Sequence, residues 1–382
     1  MKKRSRSVPC LCFAVSIAIA LIISGCNNSD DNPDQTLQGG SIQGKALDLT
    51  AAVTTFAGSA GTSGNADGFG TDAEFYQPYG VTTDGNDLYV TDRRNNTIRR
   101  IDIATGEVTT LAGNATALPS SYGTTDGTGA DARFAEPTGI TTDGTNLYVS
   151  DKGSDSIRKI VIATRVVTTL AGGTTGADDG TGADASFNEP YGITTDGTNL
   201  YVADSQNNTI RKVVIATGEV TTLAGDASVA YPYGSDDGTG SAALFYEPRG
   251  ITTDGTNLYV ADSMNHTIRK IVISTKEVTT YAGTAGVTGS ADGIGTAASF
   301  RRPVGITSDG TNLYVADYEN FLIRKIVIAT REVTTLAGTA LATGTTDGTG
   351  AAARFNQPSG VTTDGLSLFV VDRINHTIRN IE

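Results

Sequence analysis

Residues 190–204 read Pro-Tyr-Gly-Ile-Thr-Thr-Asp-Gly-Thr-Asn-Leu-Tyr-Val-Ala-Asp, and residues 208–225 read Asn-Thr-Ile-Arg-Lys-Val-Val-Ile-Ala-Thr-Gly-Glu-Val-Thr-Thr-Leu-Ala-Gly. Short runs of β-branched and aromatic residues alternate here with Asp-Gly and Thr-Gly turn signals, and no helical period continues through them. The predicted strands are Gly192–Thr195, Leu200–Ala203, Thr209–Ala216 and Glu219–Leu223. The apolar residues of the third strand break strict alternation, which predicts a β-bulge.

This unit occurs six times. Its Pro-x-Gly signature recurs at spacings of 53–59 residues, at Pro78, Pro137, Pro190, Pro248, Pro303 and Pro358. Four strands per repeat without helices are typical of a β-propeller blade. The fourth-strand signature also occurs before the first repeat, at Val53–Gly58, whereas the last repeat ends after its third strand. We therefore predict an all-β fold, a six-bladed β-propeller of four-stranded blades, in which Val53–Gly58 completes the last blade and removes an open sheet edge.

The motifs Pro-x-Gly-Ile/Val, Leu-Tyr-Val-Ala-Asp and Asn-x-Thr-Ile-Arg-Lys resemble those of the NHL-repeat propellers over residues 53–382. The resemblance implies the fold but not an activity, because that family includes protein-binding modules, RNA-binding modules and a peptide-amidating lyase. The chain departs from a plain NHL repeat in the long connection between blades. That connection carries its own signature, Asp-Gly-x-Gly-x-x-Ala-x-Phe, as at residues 179–187. We expect its Phe to fill the gap between blades.

The charge balance argues against nucleic acid as a partner. The 382-residue chain has a net charge of −13, with 28 Lys and Arg against 41 Asp and Glu. Four of the cations lie in the first 25 residues, namely Lys2, Lys3, Arg4 and Arg6, and without them the net charge is −17. Binding to a phosphate backbone needs an excess of Lys and Arg.

The N-terminus resembles a bacterial lipoprotein leader. A basic start precedes an apolar run at 13–23, and Ile23-Ser24-Gly25-Cys26 resembles a lipobox, in which the Cys is acylated. We therefore expect residues 1–25 to be a signal peptide, 26–50 a lipidated Cys26 with a flexible tether, and 51–382 the propeller. The expected location is the bacterial cell envelope, with Asn27 favouring the outer membrane. An uncleaved signal anchor is the alternative.

The two faces of the predicted disc differ in how strongly the repeats vary. The Asp-Gly-Thr-Asn and Ala-Thr-Gly turns share one face, which we call the turn face, and they are nearly identical in every blade. The second-to-third loops and the long connections share the other, which we call the loop face, and there the repeats diverge. The residues after Pro are Tyr79, Thr138, Tyr191, Arg249, Val304 and Ser359. The residues before Pro are Gln77, Glu136, Glu189, Glu247, Arg302 and Gln357. The residues after the strand-ending Asp are Arg93, Lys152, Ser205, Ser263, Tyr318 and Arg373.

Propeller ligands bind where loops on a rigid ring converge, at the mouth of the channel. The candidate ligand-binding residues are Tyr79, Glu136, Glu189, Tyr191, Glu247, Arg249, Arg302 and Tyr318. We expect Tyr191, Arg249 and Arg302 to be exposed. Neutral drift of solvent-facing loops is the alternative explanation for the variation.

Residues repeated in all six blades are interpreted as structural. Each second strand ends in an Asp, such as Asp204, and each third strand carries an Arg, such as Arg211. We expect each Asp to accept N–H bonds in its loop or to pair with an Arg. Calcium at Asp178, Asp179 and Asp184 is an alternative, but Asp-Gly is ordinary turn chemistry, so no metal or other cofactor is assigned.

Catalytic groups are scarce. The chain has two His, His266 and His376, in the same loop slot of two blades, and no Cys beyond Cys26. We therefore favour a lipid-tethered, monomeric, non-enzymatic binding module for a protein, a glycan or another cell-envelope ligand. One alternative is a metal-dependent lactonase or hydrolase that uses Glu136, Glu189 and Glu247 at the channel mouth. The other is a passive envelope scaffold.

Overall fold

Each repeat folds into one antiparallel sheet of a β-propeller. The structure is a computed structural model that describes residues 37–38, 41–42, 46–115, 122–228 and 233–382. The expected signal peptide, Cys26 and the first part of the expected tether lie outside these residues. Within the described ranges, six five-stranded sheets form the blades, and a two-residue hairpin of β1 (Leu37–Gln38) and β2 (Ser41–Ile42) precedes them.

The strands follow one plan in every blade. Blade 1 contains β4 (Gly68–Phe69), β5 (Val81–Thr83), β6 (Asp87–Asp92), β7 (Thr97–Asp102) and β8 (Glu107–Gly113). Blade 2 contains β9 (Gly127–Thr128), β10 (Pro137–Thr142), β11 (Asn146–Asp151), β12 (Ser156–Val161) and β13 (Val166–Gly172). Blade 3 contains β14 (Gly180–Thr181), β15 (Pro190–Thr195), β16 (Asn199–Asp204), β17 (Thr209–Val214) and β18 (Glu219–Ala224).

The other three blades repeat this order. Blade 4 contains β19 (Gly238–Thr239), β20 (Pro248–Thr253), β21 (Asn257–Asp262), β22 (Thr267–Val272) and β23 (Glu277–Ala282). Blade 5 contains β24 (Gly293–Ile294), β25 (Pro303–Ser308), β26 (Asn312–Asp317), β27 (Leu322–Val327) and β28 (Glu332–Ala337). Blade 6 contains β3 (Ala52–Ala57), β29 (Gly348–Thr349), β30 (Pro358–Thr363), β31 (Leu368–Asp372) and β32 (Thr377–Ile381).

Helical structure in the described residues is limited to three-residue 3₁₀ turns. They are Gly70–Asp72, Gly129–Asp131, Lys152–Ser154, Gly182–Asp184, Ser205–Asn207, Gly240–Ala242, Ser263–Asn265, Gly295–Ala297 and Gly350–Ala352. None of the helices in this part of the chain has the length and apolar character needed to cross a membrane.

The predicted four strands are present in every blade, and the structure adds a fifth. In blade 3 the short strand β14 pairs with the outer side of β18, with Gly180 opposite Val220. It comes from the Asp-Gly-x-Gly signature of the long connection, for which the turn residues predict a loop. The bulge predicted in the third strand is confirmed by a register shift between Ile210 and Arg211.

The predicted closure is confirmed. Strand β3 lies between β29 and β32, with Val53 opposite Ile381 and paired on its other side with Gly348. Its bounds are Ala52–Ala57, one residue earlier than predicted. The chain just before it also contacts the propeller, because Leu47 is buried and its N–H donates to Asp309 Oδ2 at 3.1 Å. The described end of the expected tether therefore lies against the turn face.

Glycine sets the spacing of the blades around the channel. The first long strands of the six blades pass side by side, and the glycine of each Pro-x-Gly faces a carbonyl oxygen of the next blade. A Cβ atom at Gly192 would lie less than 3 Å from the Arg249 carbonyl oxygen, and the same holds for Gly250 against Val304. Any larger residue would push the neighbouring blades apart.

A buried ion network closes each blade, as the repeated Asp and Arg predicted. In blade 3 the Arg211 guanidinium donates to Asp204 Oδ2 at 2.9 Å and to Asp179 Oδ1 at 2.9 Å. Asp204 also accepts the Asn188 N–H at 2.8 Å. Burial raises the pKa of Asp204 to about 6, against the lowering effects of its N–H donors and of Arg211. The same network recurs in the other five blades.

The Phe of the long connection fills the space between blades, as predicted. All six are fully buried, namely Phe75, Phe134, Phe187, Phe245, Phe300 and Phe355. In blade 3 the Arg211 guanidinium carbon lies 5.2 Å from the centre of the Phe187 ring. The Arg therefore joins the ion network of the loop to the apolar core of the blade.

Deleting residues 46–57 should lower the free energy of unfolding by roughly 3 kcal/mol or more, because blade 6 loses a strand and β32 gains an open edge. Val53 and Ala57 are fully buried in that strand. The measurement is denaturant unfolding, with a deletion of residues 1–45 as the matched control. Equal midpoints for the two deletions would contradict the closure.

Candidate functional site

The residues after each Pro converge at the loop-face end of the central channel. The Pro-x-Gly-Ile/Val segments of all six first strands line this cavity, which holds about 450 Å³ of empty space, its open end included. Three of the predicted site residues, Tyr79, Tyr191 and Tyr318, pack together there with Val304. The expected exposure of Tyr191 is wrong, because it is only 7% exposed. The side chain of Arg249 is also largely buried, since it lies across Tyr191, with its guanidinium carbon 5.0 Å from the ring centre.

Tyr79 lies at the centre of this cluster. Its ring meets that of Tyr191 edge-on, with 5.5 Å between the ring centres. The guanidinium carbons of Arg93 and Arg373 lie over the Tyr79 ring, 5.7 and 5.9 Å from its centre. Burial raises the pKa of Tyr79, and the nearby guanidinium groups partly offset that effect. Its hydroxyl is buried and has no hydrogen-bond partner among the described residues. The cluster therefore contains an unused donor at the lining of the channel.

An ion-pair arc runs along the mouth from blade 1 to blade 3. Arg93 of blade 1 donates to Glu136 of blade 2 at 2.6 Å, and Arg94 donates to its other carboxylate oxygen. Lys152 of blade 2 lies 2.9 Å from Glu189 of blade 3 and 3.9 Å from Glu136. Burial alone would raise the pKa of Glu136, but these cations outweigh it and the pKa is lowered. The negative charges of Glu136 and Glu189, both predicted site residues, are thus compensated by neighbouring cations.

A second arc covers blades 4 and 5. Arg249 lies 2.9 Å from Glu247, and Arg302 lies 3.9 Å from Glu247 and 3.0 Å from Glu319. Burial opposes the charge on Arg249, but the two tyrosines and Glu247 outweigh it and raise its pKa. Arg302 was predicted to be exposed and is only partly so, with 27% of its side-chain surface accessible at the rim. Glu319 was not predicted, because it lies one residue beyond the positions that were compared.

The third part of the mouth joins blade 6 to blade 1, and its cation, Arg373, has no carboxylate partner among the residues that the structure describes. Arg373 of blade 6 donates to Gln77 of blade 1 at 3.0 Å and to Gln357 at 3.3 Å. It also donates to the hydroxyl of Tyr318, which in turn donates to Gln357 at 2.6 Å. Of these four residues, Tyr318 was among the predicted site residues, and Arg373, Gln77 and Gln357 were not. The sequence signal was present, because Gln replaces Glu before Pro in these two blades while the cation is retained.

The variable loop slot that includes both histidines forms hydrogen bonds between blades. In five of the six blades the side chain in this slot accepts the N–H of the residue before Pro in the next blade; blade 5 has Phe321 there, which has no acceptor. His376 Nδ1 accepts from Gln77 at 3.0 Å, and His266 Nδ1 accepts from Arg302 at 3.1 Å. Asn96 does the same for Glu136 through its amide oxygen. His and Asn therefore act as equivalent hydrogen-bond acceptors in this slot, which agrees with the interpretation of the two histidines as loop substitutions.

The nominated acidic residues do not form a metal site. In the part of the chain that the structure describes, no group of three or more His, Cys, Asp and Glu could hold a metal ion. This includes Glu136, Glu189 and Glu247, on which the hydrolase hypothesis depends. Asp179 already accepts from Arg211 and from the Thr222 hydroxyl. Calcium binding at Asp178, Asp179 and Asp184 stays an untested alternative.

The chain is similar in sequence to known proteins over about 70% of its length. The chain is 34% identical over 285 residues to "Protein SUPPRESSOR OF QUENCHING 1, chloroplastic" of Arabidopsis thaliana, covering 70% of this chain and 26% of that protein. It is 30% identical over 303 residues to human "NHL repeat-containing protein 2", covering 72% of this chain and 42% of that protein. The chain therefore spans less than half the length of these curated relatives. No protein-family model matches it.

A solved structure shows the same fold. The crystal structure of an auxiliary nutrient binding protein from Bacteroides thetaiotaomicron superposes with a TM-score of 0.63 at 20% identity, covering 86% of this chain and 76% of that one. At this identity the likeness establishes the fold alone.

Replacing both histidines by Asn should reduce the loss of folding stability in mild acid. Burial lowers the pKa of His266 and of His376, so the folded state holds both neutral. The unfolded chain takes up these protons near pH 6.5, and stability is therefore lost as the pH falls from about 6.5 through the lower folded pKa. Asn occupies this slot in blades 1 and 3 and has no such proton to bind.

The measurement is the unfolding midpoint of the wild type and of the His266→Asn/His376→Asn variant between about pH 8 and pH 5. The buried Asp residues titrate in both proteins, so their contribution cancels in the difference. The variant should gain stability relative to the wild type only on the acid side. Parallel profiles over the whole range would contradict the assignment.

Proposed function

Since this chain is an NHL-repeat β-propeller, we propose that its loop face acts as a binding module for a small polar ligand or for a terminal group of a glycan. The observation that carries the proposal is the asymmetry of the mouth. A scaffold of six nearly identical blades supports a rim whose side chains differ from blade to blade. Function depends on such sites and not on the fold itself.

The geometry favours a small ligand over a broad protein surface. The mouth surrounds the loop-face end of the channel, whose cavity is lined by residues from all six blades. Aromatic rings, guanidinium groups and carboxylates surround it, and all are supported by strands of a rigid ring. Concave sites with a few convergent polar groups are typical of small-molecule binding. The Bacteroides propeller with the same fold is described as an auxiliary nutrient binding protein, which is consistent with this class of function.

We also propose that the propeller is anchored to a bacterial membrane, in the outer membrane, by lipid on Cys26. The support is the leader sequence, with its apolar run ending in Ile23-Ser24-Gly25-Cys26. The described chain reaches the propeller on the turn face, where the Leu47 N–H donates a hydrogen bond to the Asp309 carboxylate. A tether that arrives on that side leaves the loop face open to a ligand.

Arg302→Ala should weaken ligand binding about tenfold without unfolding the protein, because Arg302 is at the rim and one charged hydrogen bond is lost. Glu219→Ala, on the exposed turn face, is the matched control and should bind as the wild type does. The measurement is the shift in unfolding temperature with a panel of neutral and acidic mono- and disaccharides, since ligands that bind the folded state raise it. The proposal fails if no sugar of the panel stabilises the wild type, or if only the turn-face change weakens binding.

Cys26→Ser should release the protein from membranes, because the acylated thiol is lost. Cys12→Ser, in the apolar leader, is the matched control and should leave the anchoring intact. The measurement is fractionation of cells that express each variant, together with labelling by a palmitate analogue. Unchanged membrane partition and labelling of the Cys26→Ser protein would contradict the tether.

A further inference from the structure

We infer that the ligand carries an anionic group, a carboxylate or a phosphate, and that Arg373 binds it. The inference rests on the proposed function and specifies the ligand of that same site. It comes from comparing equivalent positions of the blades, which provide internal controls for one another.

Two blades have a cation directly after the second strand that lies between the residues before Pro of its own blade and of the next. In blade 2 this cation is Lys152, which lies between two carboxylates, that of Glu189 in the next blade and that of Glu136 in its own. In blade 6 it is Arg373, which lies between two residues at the same positions, Gln77 in the next blade and Gln357 in its own. The geometry is repeated, but the carboxylates are replaced by neutral amides.

The positive charge of Arg373 is therefore not compensated by its neighbours. No described carboxylate lies within 4.0 Å of its guanidinium group, whose hydrogen bonds go to two amide oxygens and to the Tyr318 hydroxyl. Its Nε is buried without a partner among the described residues. Holding a partly buried cation without a counter-ion is unfavourable, and an incoming anion removes that cost.

The charge of the whole mouth points the same way. Its cations are Arg93, Arg94, Lys152, Arg249, Arg301, Arg302 and Arg373. Its carboxylates are Glu136, Asp155, Glu189, Glu247 and Glu319. The mouth thus has an excess of two cations on a chain whose net charge is −13. One is Arg373, beside the amides, and the other arises in blades 4 and 5, where three Arg face two Glu. A local positive field of this kind attracts anions and repels cations.

Suitable donors are available beside the charge. The planar guanidinium group matches the two oxygens of a carboxylate or phosphate. Tyr79, with its unpartnered buried hydroxyl, lies under Arg373, whose guanidinium carbon is 5.9 Å from the ring centre. Gln77, Gln357 and Arg373 are each partly exposed, so a solute can reach them. An anion at this point would meet the guanidinium charge, whereas the Tyr79 hydroxyl is buried.

The test uses the full-length protein and three probes, D-glucuronate, inorganic phosphate and neutral D-glucose, by calorimetric titration at low salt. The test variants are Gln77→Glu, which restores the carboxylate found in blades 2–4, and Arg373→Gln, which removes the charge. The control is Gln206→Glu, which makes the same charge change at an exposed site of the loop face of blade 3.

We expect the wild type to bind glucuronate or phosphate, and binding to weaken by at least about tenfold in Gln77→Glu and in Arg373→Gln. Gln206→Glu should change the affinity less than about twofold, because this side chain is exposed to water, whose high dielectric constant weakens its charge, and lies in blade 3, away from Arg373. Unfolding curves establish that each variant is folded; Glu is already accommodated before Pro in three other blades. Which of the two anions binds more tightly distinguishes a carboxylate from a phosphate ligand.

Three results would overturn the inference: neither anion binds the wild type, Gln77→Glu binds as tightly as the wild type, or Gln206→Glu is as damaging as Gln77→Glu. If a neutral sugar binds and Arg302→Ala weakens it while Arg373→Gln does not, the proposed function holds and the anion inference fails. If nothing binds at the mouth, both fail.

Discussion

The close approach of glycine to carbonyl oxygen around the channel is the constraint on which the rest of this structure depends. Each first strand can lie against the next only because its Pro-x-Gly has no Cβ at the point of contact, as at Gly192 against Arg249. The residue between Pro and Gly is consequently held at the channel mouth. Six such positions surround one axis, so six side chains that are distant in sequence become neighbours.

The rest of each blade holds this ring in place. The Arg211 network joins the second strand to the long connection, and Phe187 fills the space beside it. Because every blade repeats these contacts, the scaffold tolerates variation at the rim with little effect on the core. The rim residues bond mostly to each other across blades, as Lys152 does with Glu189, so the site is organised between blades.

The architecture could be predicted from the sequence because the six repeats each carry the same turn and strand signals, and because the unpaired copy at Val53–Gly58 required a partner. The fifth strand could not, since two residues such as Gly180–Thr181 have no periodicity to detect. The burial of Tyr191 was missed because a strand pattern says which residues share a face but not how closely that face approaches a channel. The contact of Arg373 with Gln77 spans 296 residues and exists only after the ring closes. Its two halves were visible in the sequence, but their pairing required the blade order.

Bromide can serve as a probe for the anion expected at the channel mouth, because its anomalous scattering locates it directly in a crystal. Crystals of the protein grown at low salt and soaked in bromide provide that measurement. The account predicts an anomalous peak within hydrogen-bond distance of the Arg373 guanidinium, on the loop face, and no comparable peak on the turn face. Bromide peaks confined to other surfaces, with none beside Arg373, would contradict it.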